Sequence, residues 1–166
     1  MKNIVLIGMP GCGKTTIGKQ IAKALGFSFF DCDQYIEETQ KYSISKIFEQ
    51  YGEAHFRSLE TKALKALSGK TNAVISTGGG VVERPENIDI LKNCGIVVFI
   101  NRPLENILGD VDTSHRPLLK DGKERLINLH QRRFALYKSA CHMEIENNKT
   151  INDVVTKILD EVKKNG

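Results

Sequence analysis

A glycine-rich segment near the start of the chain carries the residue types that bind a polyphosphate. Residues 8–15 read GMPGCGKT and fit the pattern G-x-x-x-x-G-K-[ST]. The glycines let backbone N–H groups converge on phosphate oxygens, where a side chain would block them. Lys14 can place its charge on the β- and γ-phosphates, and the Thr15 hydroxyl can ligate a Mg²⁺ ion that bridges them. The predicted nucleotide-binding residues here are Gly11, Cys12, Gly13, Lys14, Thr15 and Thr16.

The neighbours of this loop distinguish a phosphate site from an ordinary glycine-rich turn. Apolar residues 4–7 precede it, as expected of a buried strand, and Ile17, Ile21 and Leu25 follow it at every fourth position. A helix beginning at Lys14 would point the positive end of its dipole at the phosphates. This strand, loop and helix context favours phosphate binding.

Two carboxylates, Asp31 and Asp33, follow the second apolar run. The strand at 73–75 runs into Ser76 and has no acid at its end, so a magnesium-binding acid must come from elsewhere. In an open α/β sheet the carboxyl ends of the strands face the ligand crevice, and alternate residues point to one side. One carboxylate can then serve magnesium and the other a hydroxyl. The same residues could cap the following helix, and the two roles are compatible.

Arg57 and Glu60, three residues apart on a predicted helix, have two interpretations. An exposed ion pair is the commoner meaning of this spacing. Residues 78–80 are three successive glycines at a strand end, and a loop that only has to turn seldom needs three. Such a triplet permits close approach of backbone to a ligand. On the residues alone, both interpretations of Arg57 stay open.

Five short apolar runs alternate with segments of helical periodicity. The runs cover residues 4–7, 27–30, 73–75, 96–100 and 143–145. Helices are predicted from residue 14 and over residues 44–51, 54–67, 85–92, 104–108, 124–139 and 151–163. The alternation predicts an α/β fold with three α/β/α layers and a five-stranded parallel sheet. We expect one domain over residues 1–166, with the polar segment 109–123 as a mobile lid.

The composition excludes several classes of protein. The apolar run at the N-terminus is too short to span a membrane and lacks a signal-peptide pattern, so a soluble cytoplasmic protein is expected. Four widely spaced cysteines without a C-x-x-C pair predict reduced thiols rather than a zinc site or a disulfide framework. The net charge of +4 is spread along the chain without an aromatic–basic motif, which favours small anionic ligands over nucleic acid.

Six motifs in a fixed order give the chain a resemblance to a known family. They are the loop at 8–16, D-x-D at 31–33, F-R-x-x-E at 56–60, T-G-G-G at 77–80, R-P-L-L at 116–119 and R-x-x-L-Y at 133–137. Together they resemble shikimate kinase, and they imply the P-loop NTPase fold of the nucleoside-monophosphate-kinase type. The resemblance implies a monomeric phosphotransferase that uses ATP and Mg²⁺ to phosphorylate the 3-hydroxyl of shikimate. The products would be shikimate 3-phosphate and ADP, in chorismate and aromatic amino acid biosynthesis.

The resemblance also implies roles for individual residues. The expected shikimate-binding residues are Asp33, Arg57, Gly78, Gly79, Gly80 and Arg133. The expected metal ligands are Thr15 and Asp31, and the expected catalytic residues are Lys14, Asp33 and Arg116. Asp33 would orient or deprotonate the attacking hydroxyl, and the acceptor-binding helices would cover about residues 33–60. Arg116, in the lid, would bind ATP phosphates and help exclude water.

Two other functions share part of this pattern. A gluconate-type small-molecule kinase would have the same loop, lid and magnesium, but Arg57, residues 78–80 and Arg133 favour shikimate. A non-catalytic nucleotide switch is a second alternative, and it would not need carboxylate-binding arginines facing an aspartate. The chain departs from the family at residues 109–110, where a lid arginine is common, and at Ala135, where proline is common. Whether a lid arginine stacks on adenine is therefore left open by the sequence.

Overall fold

One five-stranded parallel sheet runs through the protein. The computed structural model describes residues 2–110 and 119–165 of the chain. The strands are β1 (Asn3–Ile7), β2 (Ser28–Asp31), β3 (Ala73–Ser76), β4 (Gly95–Asn101) and β5 (Met143–Glu146). They lie in the order β2-β3-β1-β4-β5, and every neighbouring pair is parallel. The five apolar runs are thus confirmed as strands of a parallel sheet.

Helices connect the strands. Within the described ranges they are α1 (Lys14–Leu25), α2 (Cys32–Gln40), α3 (Ile44–Ser68), α4 (Pro85–Cys94), α5 (Leu104–Gly109), α6 (Leu119–Ala140) and α7 (Ile151–Asn165). A 3-10 turn, Val81–Glu83, lies between β3 and α4. Gly52, at φ 83° and ψ 174°, interrupts α3, so the predicted break between two helices is confirmed there. Asp31 caps α2 by accepting a hydrogen bond from the Gln34 N–H at 3.1 Å, as the capping interpretation predicted.

The helix predicted over residues 124–139 starts earlier in the structure. Helix α6 begins at Leu119, so residues 119–123 are helical rather than part of a loop. Gly122 suggested a loop because glycine is less favourable than alanine inside a helix, by about 1 kcal/mol. Packing of Tyr137 and Ala140 into the core stabilises α6 and outweighs this local preference. The predicted lid residues 111–118, including Arg116, lie outside the described residues.

Buried side chains fill both faces of the sheet. Successive side chains of a strand point to opposite faces. Val5 and Ile7 of β1 therefore belong to one apolar cluster, with residues of α3, α4 and α6. Ile4 and Leu6 belong to a second cluster, with residues of α1 and α7. The three-layer α/β/α arrangement is confirmed, and it buries β1 from both sides.

The cysteines agree with the expectation from their spacing. Cys12 and Cys32 are buried, Cys94 and Cys141 are partly buried, and all four are free thiols. Among the helices described, none has the length and apolarity needed to cross a bilayer.

Gly95, the first residue of β4, packs directly on the backbone of β1. We therefore expect a side chain at this position to destabilise the fold. The φ of Gly95 is 175°, an extended value open to any residue, so the need for glycine is steric. A Cβ there would overlap the backbone oxygen of Asn3, which cannot move aside as a flexible side chain could. We expect Gly95→Ala to lower the free energy of unfolding by about 1–3 kcal/mol. Urea denaturation should show a lower midpoint with an unchanged m-value.

Gly69→Ala is the matched control for this prediction. The nearest atom to a Cβ at Gly69 is the Ala66 oxygen at 3.6 Å, an ordinary contact, and the φ of −77° suits alanine. Its free energy of unfolding should stay within about 0.5 kcal/mol of the wild-type value. Equal stability of the two variants would contradict the close packing of β1 on β4.

Candidate active site

The order of the strands brings the predicted site residues to one edge of the sheet. β3 lies between β1 and β2, so the loops that follow these three strands are neighbours at their carboxyl ends. Asp31, at the end of β2, pairs in register with Ser76, at the end of β3. A Cβ on Gly79 would lie 2.7 Å from the Pro10 ring. The loop after β1 and the glycine triplet after β3 are therefore in direct contact.

The loop after β1 has the shape of a phosphate-binding loop. Gly11 and Gly13 have φ values of 82° and 102°, in the left-handed region that favours glycine. Lys14, which is buried, donates hydrogen bonds from Nζ to the carbonyl oxygens of Gly8 at 2.8 Å and Met9 at 3.0 Å. Helix α1 begins at Lys14, so its N-terminal N–H groups face the same space. The arrangement can bind phosphate oxygens through backbone N–H groups and one ammonium.

Thr15 and Asp31, the two predicted metal ligands, lie side by side. The Thr15 hydroxyl donates to Oδ2 of Asp31 at 3.4 Å. Asp31 is fixed because its Oδ1 accepts the Gln34 N–H at the start of α2. A hydroxyl and a carboxylate are oxygen donors of the kind that Mg²⁺ prefers.

Asp33, in the first turn of α2, faces the glycine triplet. Its Oδ1 would lie 3.1 Å from a Cβ on Gly78. That oxygen is buried and has no hydrogen-bond partner in the described part of the chain. Burial raises the pKa of the Asp33 carboxyl, the Asp31 carboxylate raises it further, and Lys14 acts in the opposite direction. The site thus contains a half-buried acid with an oxygen available for a hydroxyl.

Arg57 and Glu60 form a buried pair, so the exposed-pair interpretation is wrong. The Arg57 Nη1 donates to Glu60 Oε1 at 3.0 Å, and Glu60 is only 1% exposed. Packing of α3 against the triplet decides this, because a Cβ on Gly78 would lie 2.9 Å from Glu60 Oε2. Burial raises the pKa of the Glu60 carboxyl, while the charge and hydrogen bond of Arg57 lower it. The Arg57 guanidinium itself packs directly on Gly80.

Arg133 and Tyr137, both on α6, approach the same triplet. Arg133 is 5% exposed, and its Nε has no partner among the residues described. The Tyr137 hydroxyl donates to the Gly79 carbonyl at 2.6 Å. Burial raises the pKa of the Tyr137 phenol well above its ordinary value, so the hydroxyl stays protonated and can donate. Arg133 is therefore a buried charge beside the triplet and not an exposed charge on the surface of α6.

These groups surround a cavity of about 310 Å³. It is lined by Pro10, Asp33, Ile44, Phe56, Arg57, Glu60, Gly78, Gly79, Gly80, Arg125, Leu126, Leu129 and Arg133. Planar guanidinium groups bind carboxylates through paired N–H bonds, and Asp33 offers an acceptor to hydroxyls. The cavity can therefore hold a small hydroxylated carboxylate beside the phosphate loop. The position of Arg116 relative to it stays a prediction, because Arg116 is outside the described residues.

A second cavity, of about 380 Å³, lies on the other side of the phosphate loop. Its lining includes Arg102 and Asn147, to neither of which the sequence analysis assigned a role. Arg102 Nη1 donates to the Gly11 carbonyl at 2.9 Å, and Asn147 Nδ2 donates to the Cys12 carbonyl at 2.9 Å. Both hold the loop backbone in place. Their positions in the sequence could have indicated them. Arg102 directly follows β4 and Asn147 directly follows β5, at the edge of the sheet where ligands bind.

Comparison with known proteins identifies the family of the chain. The family model for shikimate kinase matches residues 10–163. A shikimate kinase of Clostridium botulinum (strain Eklund 17B / Type B) is 54% identical, covering 95% of this chain and 96% of that protein. One from Clostridium beijerinckii is 47% identical, covering 98% of this chain and 96% of that protein.

Solved structures give the same result and confirm the predicted P-loop kinase fold. Shikimate kinase from Acinetobacter baumannii in complex with shikimate is 37% identical, covers 99% of this chain and 94% of its own, and has a TM-score of 0.92. Shikimate kinase from Aquifex aeolicus is 38% identical, with coverages of 98% and 97% and a TM-score of 0.87. The chain therefore belongs to the shikimate kinase family, phosphotransferases that phosphorylate an alcohol group of shikimate with ATP in aromatic amino acid biosynthesis.

Proposed function

We propose that this chain transfers the γ-phosphoryl group of Mg-ATP to the 3-hydroxyl of shikimate, giving shikimate 3-phosphate and ADP. The observation that carries the proposal is the cavity where Arg57, Arg133 and Asp33 converge on the glycine triplet beside the phosphate loop. Shikimate is a carboxylate with ring hydroxyls. Guanidinium groups suit its carboxylate, and a carboxylate oxygen with no described partner suits a hydroxyl.

Arg57 and Arg133 are the proposed ligands of the shikimate carboxylate. Each presents a planar fork whose two parallel N–H bonds fix orientation as well as charge. Glu60 holds Arg57 at 3.0 Å from one side, which limits the ways the guanidinium can turn. Gly78, Gly79 and Gly80 are the proposed floor of the pocket, against which the ring lies.

Charge neutralisation at the phosphates is the proposed role of the loop. Phosphoryl transfer depends on positioning and electrostatics more than on covalent help. Lys14 and the backbone of residues 11–16 are the proposed ATP contacts, and Lys14 already lies inside the curve of the loop. Arg116 is proposed to add a positive charge from the lid segment.

Thr15 and Asp31 are the proposed protein contacts of magnesium. They fit the ion because both offer oxygen, and they lie 3.4 Å apart at the edge of the loop. Mg²⁺ usually keeps several waters and takes one or two carboxylates along with phosphate oxygens. Asp31 is proposed to act through water. When bound, the ion supplies positive charge to the β- and γ-phosphates.

Asp33 is the proposed acceptor of the proton of the attacking hydroxyl. It lies between the phosphate loop and the triplet, with a buried oxygen that lacks a described partner. Its raised pKa makes it a better proton acceptor than an ordinary aspartate, because a general base works best near the operating pH. We further propose that residues 1–166 act as one kinase domain, as a cytoplasmic monomer that does not bind nucleic acid.

The direct test is ADP release from Mg-ATP by the purified chain with shikimate, with gluconate and with no acceptor. We expect strong stimulation by shikimate alone. Lys14→Ala should abolish the stimulation. Arg57→Ala should raise the KM for shikimate about 10- to 100-fold, because a charged hydrogen-bonding group is lost. Arg84→Ala, which removes an exposed pair with Glu86, is the matched control and should behave as wild type.

Two other outcomes of this assay would support a different function. Stimulation by gluconate instead would keep the phosphate loop and overturn the carboxylate roles of Arg57 and Arg133. Tight ATP binding with no stimulation by either acceptor would support a nucleotide switch.

Asp33→Asn should lower kcat with shikimate by about 10²- to 10⁴-fold, as expected for loss of a general base. The KM for ATP should change little, because Asp33 is not among the proposed ATP contacts. Steady-state kinetics with both substrates varied measures this. A large rise in the KM for shikimate at a nearly unchanged kcat would show that Asp33 anchors the ring and accepts no proton.

The same substitution should make the protein more stable at neutral pH. Because folding raises the pKa of Asp33, the free energy of unfolding falls as pH rises from the ordinary aspartate pKa through the raised value. Asparagine has the same size but does not ionise, so this fall in the free energy of unfolding is absent from the variant. Urea midpoints should be higher for Asp33→Asn than for wild type at pH 7. The difference should shrink toward pH about 3.9, the ordinary pKa of aspartate. A less stable variant at pH 7 would contradict the raised pKa.

A further inference from the structure

One carboxylate, Glu83, lies among three arginines beside the acceptor cavity, and it belongs to none of the motifs that carried the family resemblance. It ends the 3-10 turn that follows the glycine triplet. Its Oε1 lies 2.6 Å from Arg132 Nε. Its Oε2 lies 2.9 Å from Arg133 Nη2 and 3.6 Å from Arg57 Nη2. Glu83 therefore contacts both proposed ligands of the substrate carboxylate.

Glu83 contacts Arg57 and Arg133 but does not itself line the cavity. Both arginines are among the described residues that line the cavity, and Glu83 is not. The glutamate therefore binds the two guanidinium groups without occupying the cavity. Arg133 Nε has no partner among the described residues, so it is open to a bound carboxylate.

The two arginines come from different helices and share one oxygen of Glu83. Arg57 is on α3 and Arg133 is on α6, so no local spacing fixes their separation. Two positive charges side by side in a partly buried site repel each other. A shared carboxylate between them offsets that repulsion and sets the distance between the two groups.

Glu83 keeps its charge at physiological pH. Its partial burial favours the neutral form, but hydrogen bonds from Arg132 and Arg133 and the charges of both arginines lower the pKa of its carboxyl below the ordinary value. Arg132 is 56% exposed, so its bond is screened by water and contributes little. The contact with the buried Arg133 is the stronger one.

Glu60 and Glu53 do not duplicate this role among the described contacts. Glu60 binds Nη1 of Arg57. Glu53 lies 3.5 Å from Nη2 of Arg57, but it is 62% exposed. Among the described ion pairs of Arg133, Glu83 is the only acid. Arg133 is thus the group whose orientation depends most on Glu83.

We propose that Glu83 is a positioning residue for the acceptor, which aligns Arg57 and Arg133 into one binding fork for the substrate carboxylate. The proposal rests on the proposed shikimate kinase activity, because it deepens the role of the same pocket. Glu83 takes no part in the phosphoryl transfer itself. Its removal should therefore weaken acceptor binding and leave the chemical step and the nucleotide site intact.

Steady-state kinetics of Glu83→Ala and Glu83→Gln test this proposal. Glu83→Ala should raise the KM for shikimate about tenfold or more, because Arg133 loses a charged hydrogen bond. The kcat and the KM for ATP should stay within about twofold, an ordinary scatter for a residue outside the chemical step. Glu83→Gln keeps the size of the side chain and one acceptor oxygen, so it should raise the KM for shikimate less, about threefold. Titration calorimetry of shikimate binding without nucleotide should give the same order of affinities.

Glu86→Ala is the matched control, since Glu86 is a nearby, largely exposed glutamate whose partner is Arg84. It should leave both KM values unchanged. A wild-type chain without shikimate-dependent ADP release would overturn the proposed function itself. If the wild type is active and Glu83→Ala binds shikimate as well as wild type, or more tightly, the positioning role is wrong and the function stands. Should Glu83→Ala fail to fold, an unchanged KM for shikimate in Glu83→Gln would equally overturn the proposal.

Discussion

The backbone of Gly78, Gly79 and Gly80 is in direct contact with the charged groups of the acceptor pocket. A Cβ on Gly78 would lie 2.9 Å from Glu60 Oε2 and 3.1 Å from Asp33 Oδ1. On Gly79 it would lie 2.7 Å from the Pro10 ring, and on Gly80 it would overlap the Arg57 guanidinium. The absence of three side chains therefore lets two acids, an arginine and the phosphate loop approach one surface. The acceptor cavity and the phosphate-binding loop are neighbours for this reason.

This packing removes water from the carboxylates of Asp33 and Glu60. Burial raises the pKa of both groups, and the arginines of the pocket offset only part of the effect. A folded state that keeps such acids buried gives up some stability at neutral pH, a cost that is common at functional sites. Glu83 is the contrasting case, because its arginine partners lower its pKa and keep it ionised. The pocket that contains Arg57 and Arg133 thus has acids of two kinds nearby. Asp33 and Glu60 are protonated more readily than ordinary carboxylates, and Glu83 is protonated less readily.

Most of the fold could be predicted from the sequence because it depends on local patterns. Apolar runs gave the strands, periodicity gave most helices, and Gly52 marked the break in α3. The phosphate loop was visible for the same reason, since its glycines, lysine and threonine are consecutive. Parallel strand order then explains why Asp31 and Asp33 could be assigned to the ligand edge without knowledge of the packing.

The remainder depends on contacts between distant parts of the chain. Glu83 and Arg133 are 50 residues apart, and Cys12 and Asn147 are 135 apart, so no spacing rule relates them. The burial of the Arg57 and Glu60 pair is decided by the triplet, which lies on another element. The start of α6 was misplaced because local glycine preference was given more weight than the packing of the helix on the core.

We propose that the arginines of the pocket recognise the carboxylate of the acceptor. A comparison of shikimate with its methyl ester, which keeps the ring hydroxyls and lacks the charge, measures this recognition. With the wild-type chain, kcat/KM should be lower for the ester by about 100-fold or more, since the pocket arginines lose their charged partner. With Arg57→Ala, the difference between acid and ester should be much smaller. If the ratio of kcat/KM for shikimate to kcat/KM for the ester is the same in both enzymes, Arg57 does not recognise the carboxylate, which must then be bound elsewhere.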